Sequence, residues 1–292
     1  LEHTGAKVVQ PFDIPLNLFD TTTCTNERNP WLERHLFFSD ILSKIFSGIG
    51  PKQKHRLKES IKSSYKRAEI NGVAAPTIYD VCEKYAEACG DTHDAPYSII
   101  SNIVDQEIFV DSHEKAVPFN QFFKGVVVID LKALGQDDDT KNLLVAIFLN
   151  LFYENMLKIE KKPFIGESPK LRALDSFLLV DEADNIMRYE FDVLRKVLLQ
   201  GREFGVGVIL ASQYPEHFKT SHENYRQSLR SWLIHRVPDI SVRELQAMGF
   251  TQVDENVVAR IKELGVHECL YRSHGVEGQF MRGHPFYELV GT

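Results

Sequence analysis

The sequence has little of what thiol or metal chemistry requires. Its four cysteines, Cys24, Cys82, Cys89 and Cys269, form no C-x-x-C pair and no spacing that would gather ligands with histidine. That excludes a zinc module and points to a reducing compartment. Long apolar runs are also missing: 143–152 and 177–180 fall well short of the roughly 20 residues that a membrane helix needs. No signal peptide opens the chain, so a cytoplasmic location with no membrane partner is expected. There is no G-x-S-x-G elbow and no cysteine placed beside a histidine as a nucleophile pair. Positive charge is in deficit, with 34 Lys and Arg against 41 Asp and Glu for a net charge of -7. This argues against a whole-surface grip on DNA or acidic lipid, although a local basic patch survives inside such an average. The absence with most consequence is a phosphate cradle. No G-x-x-x-x-G-K-[ST] loop, whose backbone N–H groups and lysine wrap nucleotide phosphates, occurs anywhere in the 292 residues. The nearest cluster, GIGPKQK at 48–54, has wrongly spaced glycines, no apolar strand before it, and a proline that removes an N–H.

What is present is ordinary globular material, 43% hydrophobic and 26% charged, enough for one large core or two smaller ones. Residues 7–19, KVVQPFDIPLNLF, read as a short strand running into a proline-containing loop. From Trp31 to Gly90 apolar residues recur at helical spacing: Leu36, Phe37, Ile41, Ile45 and Phe46, then Leu57, Ile61 and Tyr65, then Ile78, Val81 and Tyr85. This predicts a helical insert. Its second helix carries Lys52, Lys54, His55, Arg56, Lys58, Lys62, Lys66 and Arg67, the one strong positive run; it is either a solvated helix face or a contact for DNA or a partner.

From Gly125 onward strands alternate with helices, the pattern of an α/β sheet with crossover connections. GVVVIDL (125–131), SFLLVDEAD (176–184) and VGVILASQ (206–213) are expected as strands covered on both faces, with RSWLIHRV (230–237) a further one. Helices are expected over 140–159 and 191–205, the second closing on Gly205. Asp137, Asp138 and Asp139 precede the first of these, where acids suit a helix N-terminus. CLYRS and EGQFMRG read as a closing hairpin. The predicted division is a strand and loop of the core at 1–30, the helical insert at 31–117, and the remaining core with its hairpin at 118–292.

The chemistry concentrates at two strand ends. Phosphoryl transfer to water needs a held magnesium, an aligned water, and positive charge where the transition state is negative. Asp181 closes an apolar strand and is placed to hold a magnesium-bound water; Glu182 beside it can orient or deprotonate the attacking water. In open α/β sheets ligands lie outside the carboxyl ends of strands. The next strand ends in Ser212 and Gln213, and a glutamine there can hydrogen-bond both the terminal phosphate and the water. A lone Asp-Glu after a strand would equally serve as a helix cap with a first-turn acid. The histidines His217 and His222 have no acidic or thiol partner at ligand spacing.

VDEADNIM (180–187) followed by GREFGVGVILASQYP (201–215) resembles the Walker B segment and following strand of the HerA/FtsK superfamily of hexameric DNA-pumping ATPases; the coupling ATPases of conjugation are similar. The matched unit is Arg202, Gly205, Val208 to Leu210, Ala211, Ser212, Gln213 and Pro215, and LIHRVPDISVREL (233–245) resembles the segment after it. The resemblance implies a RecA-like, mostly parallel sheet flanked by helices, ATP and Mg2+ as cofactors, and a homo-oligomeric ring acting on double-stranded DNA. It implies Asp181 at the metal, Glu182 at the water and Gln213 at the phosphate. Arg202, Arg236 and Arg243 become candidates to complete a neighbouring site, unless they form surface salt bridges. VVQPFDIP with Asp13 resembles the strand that follows the family's cradle, so the sequence reads as starting just past it, and these residues alone are expected to bind ATP weakly. The helical insert resembles the HerA branch, and within it the DptH type of ATPase of phosphorothioation-dependent restriction, which implies DNA defence and a nuclease or restriction-complex partner. Two other readings stand beside this one: a non-catalytic RecA-like scaffold for ring assembly or nuclease recruitment, and a conjugation- or secretion-type ATPase.

Overall fold

A computed structural model describes residues 5–24, 28–46, 49–167, 171–273 and 276–284. The chain divides into two compact units, Leu1–Glu160 and Lys161–Thr292.

In the first unit β1 (Lys7–Val9) pairs in parallel with β2 (Val127–Ile129), Val8 opposite Val128. A parallel pair needs a long crossover, and helices fill it: α1 (Pro30–Ile45), α2 (Pro51–Ile70), α3 (Ile78–Cys89), α4 (Ala95–Asp105) and the single turn α5 (Phe119–Phe122). Of the cluster at 48–54, Gly48 lies outside the described residues, and the part from Gly50 is a helix start. Gly50 caps α2 and donates its N–H to Gln53 Oε1 at 2.7 Å, while Pro51 takes the first helical position, where its missing N–H costs nothing. The basic α2 buries only a narrow stripe, Leu57, Ser60, Ile61, Ser64 and Ala68. The serines let α3 come close, and Ser64 Oγ reaches the Asp80 carbonyl at 3.2 Å. After β2, α6 (Asp138–Met156) is the apolar helix that the sequence predicts, with Leu143, Leu144, Ala146, Ile147 and Leu149 buried. Asp137 caps it, accepting from Thr140 N at 3.0 Å and Thr140 Oγ1 at 2.7 Å, and also ties it to Asn102 of α4 at 3.1 Å. Arg34 of α1 is fully buried and pairs with Glu154 of α6 at 2.5 Å.

The second unit opens with β3 (Ser176–Val180), followed by the turn α7 (Asp184–Met187), α8 (Asp192–Gln200), and β4 (Val206–Leu210), which pairs in parallel with β3, Val180 opposite Leu210. Gly207 leaves room for the Phe177 ring, which would have to move for a Cβ that would sit 2.6 Å from it. Then β5 (Trp232–Ile234), α9 (Val242–Ala247), α10 (Glu255–Lys262), β6 (Glu268–Ser273) and β7 (Val276–Arg282) follow; β5, β6 and β7 form an antiparallel sheet, the expected hairpin being its β6–β7 part.

Three expectations change. The parallel strands are not covered on both faces: Phe177, Leu179 and Ile209 are 61%, 64% and 47% exposed, and β2 is half-buried throughout. An uninterrupted apolar run reports that burial is possible, not that the covering layer is among these residues. The helix expected to reach Gly205 stops at Gln200, because the chain tightens into a 3-10 turn (Gly201–Phe204) before Gly205 reverses it with φ +79°. The strand expected at 230–237 shrinks to β5, its pairing with β6 ending at Ile234.

Candidate functional site at the β3 and β4 carboxyl ends

The ladder of β3 and β4 continues past the strands themselves. Ala211 N donates to the Val180 carbonyl at 3.0 Å, and Ala183 N donates to the Ala211 carbonyl at 2.8 Å. Asp181, Glu182, Ser212 and Gln213 therefore leave the sheet at one rim, on strands spaced about 4.8 Å apart. Asp181, Glu182 and Gln213 are exposed, whereas Ala183 between the acids and α7 is buried and anchors the turn. Asp181 Oδ1 accepts the Glu182 N–H at 3.0 Å. Glu182 has φ +48°, a left-handed conformation unusual for a non-glycine residue and of a kind that gathers at functional sites. Among the described residues neither carboxylate forms a salt bridge, although ion pairs are frequent elsewhere in the unit, as in Lys161–Glu203 and Lys162–Asp175.

Among the described residues no three His, Cys, Asp or Glu converge as a metal cage. The donor set at the rim, two carboxylates and an amide, suits a hard cation that takes its remaining oxygens from water and phosphate.

The candidate arginines lie elsewhere. Arg202 is exposed in the 3-10 turn before β4, at the opposite end of that strand from Gln213, a strand of five residues spanning roughly 17 Å. Arg236 follows β5 and Arg243 lies in α9, both exposed. The basic run of α2 is partly consumed within the first unit: Arg56 pairs with Asp94 at 2.6 Å, Arg67 with Glu83 at 2.6 Å, and Lys62 lies 5.6 Å from the Trp31 ring centre. Lys52 and Lys54 are exposed, Lys58 half so.

Sequence reasoning missed His217. Its Nδ1 lies 2.8 Å from Ser212 Oγ and 3.8 Å from Asp184 Oδ2, while Ser212 Oγ donates to Asp184 Oδ1 at 3.1 Å. The signal was present in the 3-10 turn that Pro215 opens, which folds residue 217 back onto 212.

No protein-family model matches the sequence, and no curated protein matches it. Solved structures do match. VirB4 of Thermoanaerobacter pseudethanolicus superposes over 98% of this chain and 78% of its own, with a TM-score of 0.70 at 16% identity. The bacterial conjugative coupling protein TrwB in complex with ADP and Mg2+ superposes over 95% and 73%, with a TM-score of 0.57 at 12% identity. The unbound monoclinic form of TrwB covers 96% and 73%, with a TM-score of 0.55 at 11% identity. The fold is thus the RecA-like α/β fold of P-loop ATPases.

Proposed function

We propose that the chain is the Walker B and sensor part of a RecA-like motor ATPase of the HerA/FtsK superfamily, acting on double-stranded DNA. The observation that carries this is the register-matched delivery of Asp181-Glu182 and Ser212-Gln213 to one rim, with Glu182 in a left-handed conformation and its carboxylate in no salt bridge among the described residues. Magnesium bound with ATP supplies neutralisation of the phosphate charge. Asp181 is suited to hold a metal-bound water, and Glu182 to accept the proton of the attacking water. Gln213 can donate from Nε2 to a phosphate oxygen and accept from the water at Oε1. Because Arg202 sits at the far end of β4, it is unsuited to its own site and suited to a neighbour's in a ring; Arg236 and Arg243 are the other candidates. Lys52, Lys54, Arg56, Lys58 and Lys62 are the candidate DNA or partner contacts, with Arg56 the weakest because Asp94 already neutralises it.

Likeness to a conjugative coupling protein favours, as a second reading, a conjugation- or secretion-type motor. A role in DNA defence with a nuclease partner rests on the sequence resemblance alone.

The decisive measurement is ATP turnover by the full-length protein with and without double-stranded DNA. Glu182→Gln should lower turnover by at least about 100-fold, the scale of general-base catalysis. Unchanged turnover in that variant sinks the enzyme reading and leaves the scaffold module. DNA-insensitive turnover favours a protein-moving motor. These 292 residues alone, which contain no glycine-lysine loop, should bind Mg-ATP only weakly; micromolar affinity by titration calorimetry contradicts this.

A further inference from the structure

Gln213 is one exposed residue held between two fixed points. On its amino side, Ser212 faces the loop that carries Glu182 and bonds to Asp184, the first residue of α7. On its carboxyl side, the 3-10 turn Pro215–Phe218 buries Pro215 and Phe218, and the Pro215 carbonyl accepts from Arg226 at 3.1 Å and 2.6 Å. His217 closes the loop by returning to Ser212, with the Tyr214 ring edge-on to its imidazole at 5.4 Å.

Proton counting gives this chain of bonds a consistent direction. An ionised carboxylate only accepts, so the single hydroxyl hydrogen of Ser212 is spent on Asp184. The 2.8 Å contact is then satisfied by the tautomer in which His217 Nδ1–H donates to Ser212 Oγ. In that tautomer the order of donation is His217 to Ser212 to Asp184. Three segments meet in it: the exit of β3, the exit of β4, and the turn beyond Gln213.

We propose that His217, Ser212 and Asp184 form a hydrogen-bonded lock that positions Gln213 against Glu182 and couples displacement of Gln213 to the 3-10 turn at 215–218. The catalytic half of this inference rests on the ATPase reading above; the lock itself rests on geometry alone. His217 is a positioning residue, since nothing places it on the reacting atoms. When Gln213 shifts toward a phosphate, Ser212 must either drag α7 through Asp184 or release His217, and either event moves the surface loop that follows.

Two measurements test it. First, histidine nitrogen spectra of the chain at about pH 8, above the ordinary imidazole pKa of about 6.5, should show Nδ1 of His217 as the protonated, pyrrole-type nitrogen. Ser212→Ala should release it to a mixture of tautomers. A neutral His217 protonated only on Nε2 overturns the lock, whatever the protein catalyses. Second, in the full-length protein His217→Ala should lower kcat by about tenfold with KM for Mg-ATP and the melting temperature little changed, one lost positioning bond. His217→Asn, which keeps an N–H donor near the Nδ1 position, should recover most of kcat, whereas His217→Gln should not. Equal activity in all three variants, or parallel losses of kcat and thermal stability, refutes the coupling. A wild-type protein without turnover refutes the ATPase reading and the coupling together, and the nitrogen spectrum still decides the lock.

Discussion

Charge is handled in opposite ways at two places in this chain. In the first unit three buried or half-buried charges have partners, although Arg34 Nη1 itself has no hydrogen-bond partner among the described residues. Arg34 has Glu154, a 3.2 Å bond to Cys24 Sγ and another to Thr23 Oγ1; Asp94 caps α4, pairs with Arg56 and accepts from Tyr85 at 3.1 Å; Asp137 caps α6 and holds Asn102 and Gln106. At the rim of β3 and β4, Asp181 and Glu182 face solvent and form no salt bridge among the described residues, and Glu182 carries backbone strain as well. Matched charges hold helices together. Unmatched charges on a strand end remain available to a cation and a water, as the proposed site requires.

That contrast can be broken in order of expected effect. Arg34→Ala should be the most damaging change for stability, about 3–5 kcal/mol, because it leaves the Glu154 carboxylate in a largely dry setting without its cation; a melting curve checks it, and a cost under about 1 kcal/mol would mean that Glu154 rehydrates freely. Asp137→Ala should cost less, about 1–2 kcal/mol, by removing the cap of α6 and its ties to α4. The sign of the pH effect follows from the same residue. Burial tends to raise its pKa, but hydrogen bonds from Thr140, Asn102 and Gln106 outweigh burial and hold the carboxyl below its usual range. A depressed folded-state pKa gives stability that is present above the unfolded value of about 3.9 and lost as pH falls through the folded value. Acid unfolding below about pH 4 should therefore be shallower in Asp137→Ala than in the native chain. The smallest effect has the opposite sign: Glu182→Gly should stabilise the fold by up to about 1 kcal/mol, because glycine accepts a positive φ without strain, and on the proposed ATPase reading it should also abolish turnover. A stability loss there would show that the Glu182 side chain has a structural partner.

The elements were legible in sequence where periodicity is local. The helical spacing of Leu57, Ile61 and the residues around them, the apolar stretch of α6 with its aspartates in front, and the runs ending in Asp181 and Gln213 all correspond to structure at those places. Boundaries were less legible, since the 3-10 turn at 201–204 uses the same residues that a longer helix would. The burial of Arg34 was not legible, because a single arginine in an amphipathic helix looks the same whether or not an acid more than a hundred residues away meets it.

By itself the sequence determined which residues are candidates for chemistry, because an acid pair and an amide at the ends of apolar runs are properties of short segments. Only the tertiary structure decided that those runs are neighbours in register and that His217 turns back onto Ser212 and Asp184. Strand pairing and loop closure join residues distant in the chain, and their free energy depends on packing partners that no local pattern specifies.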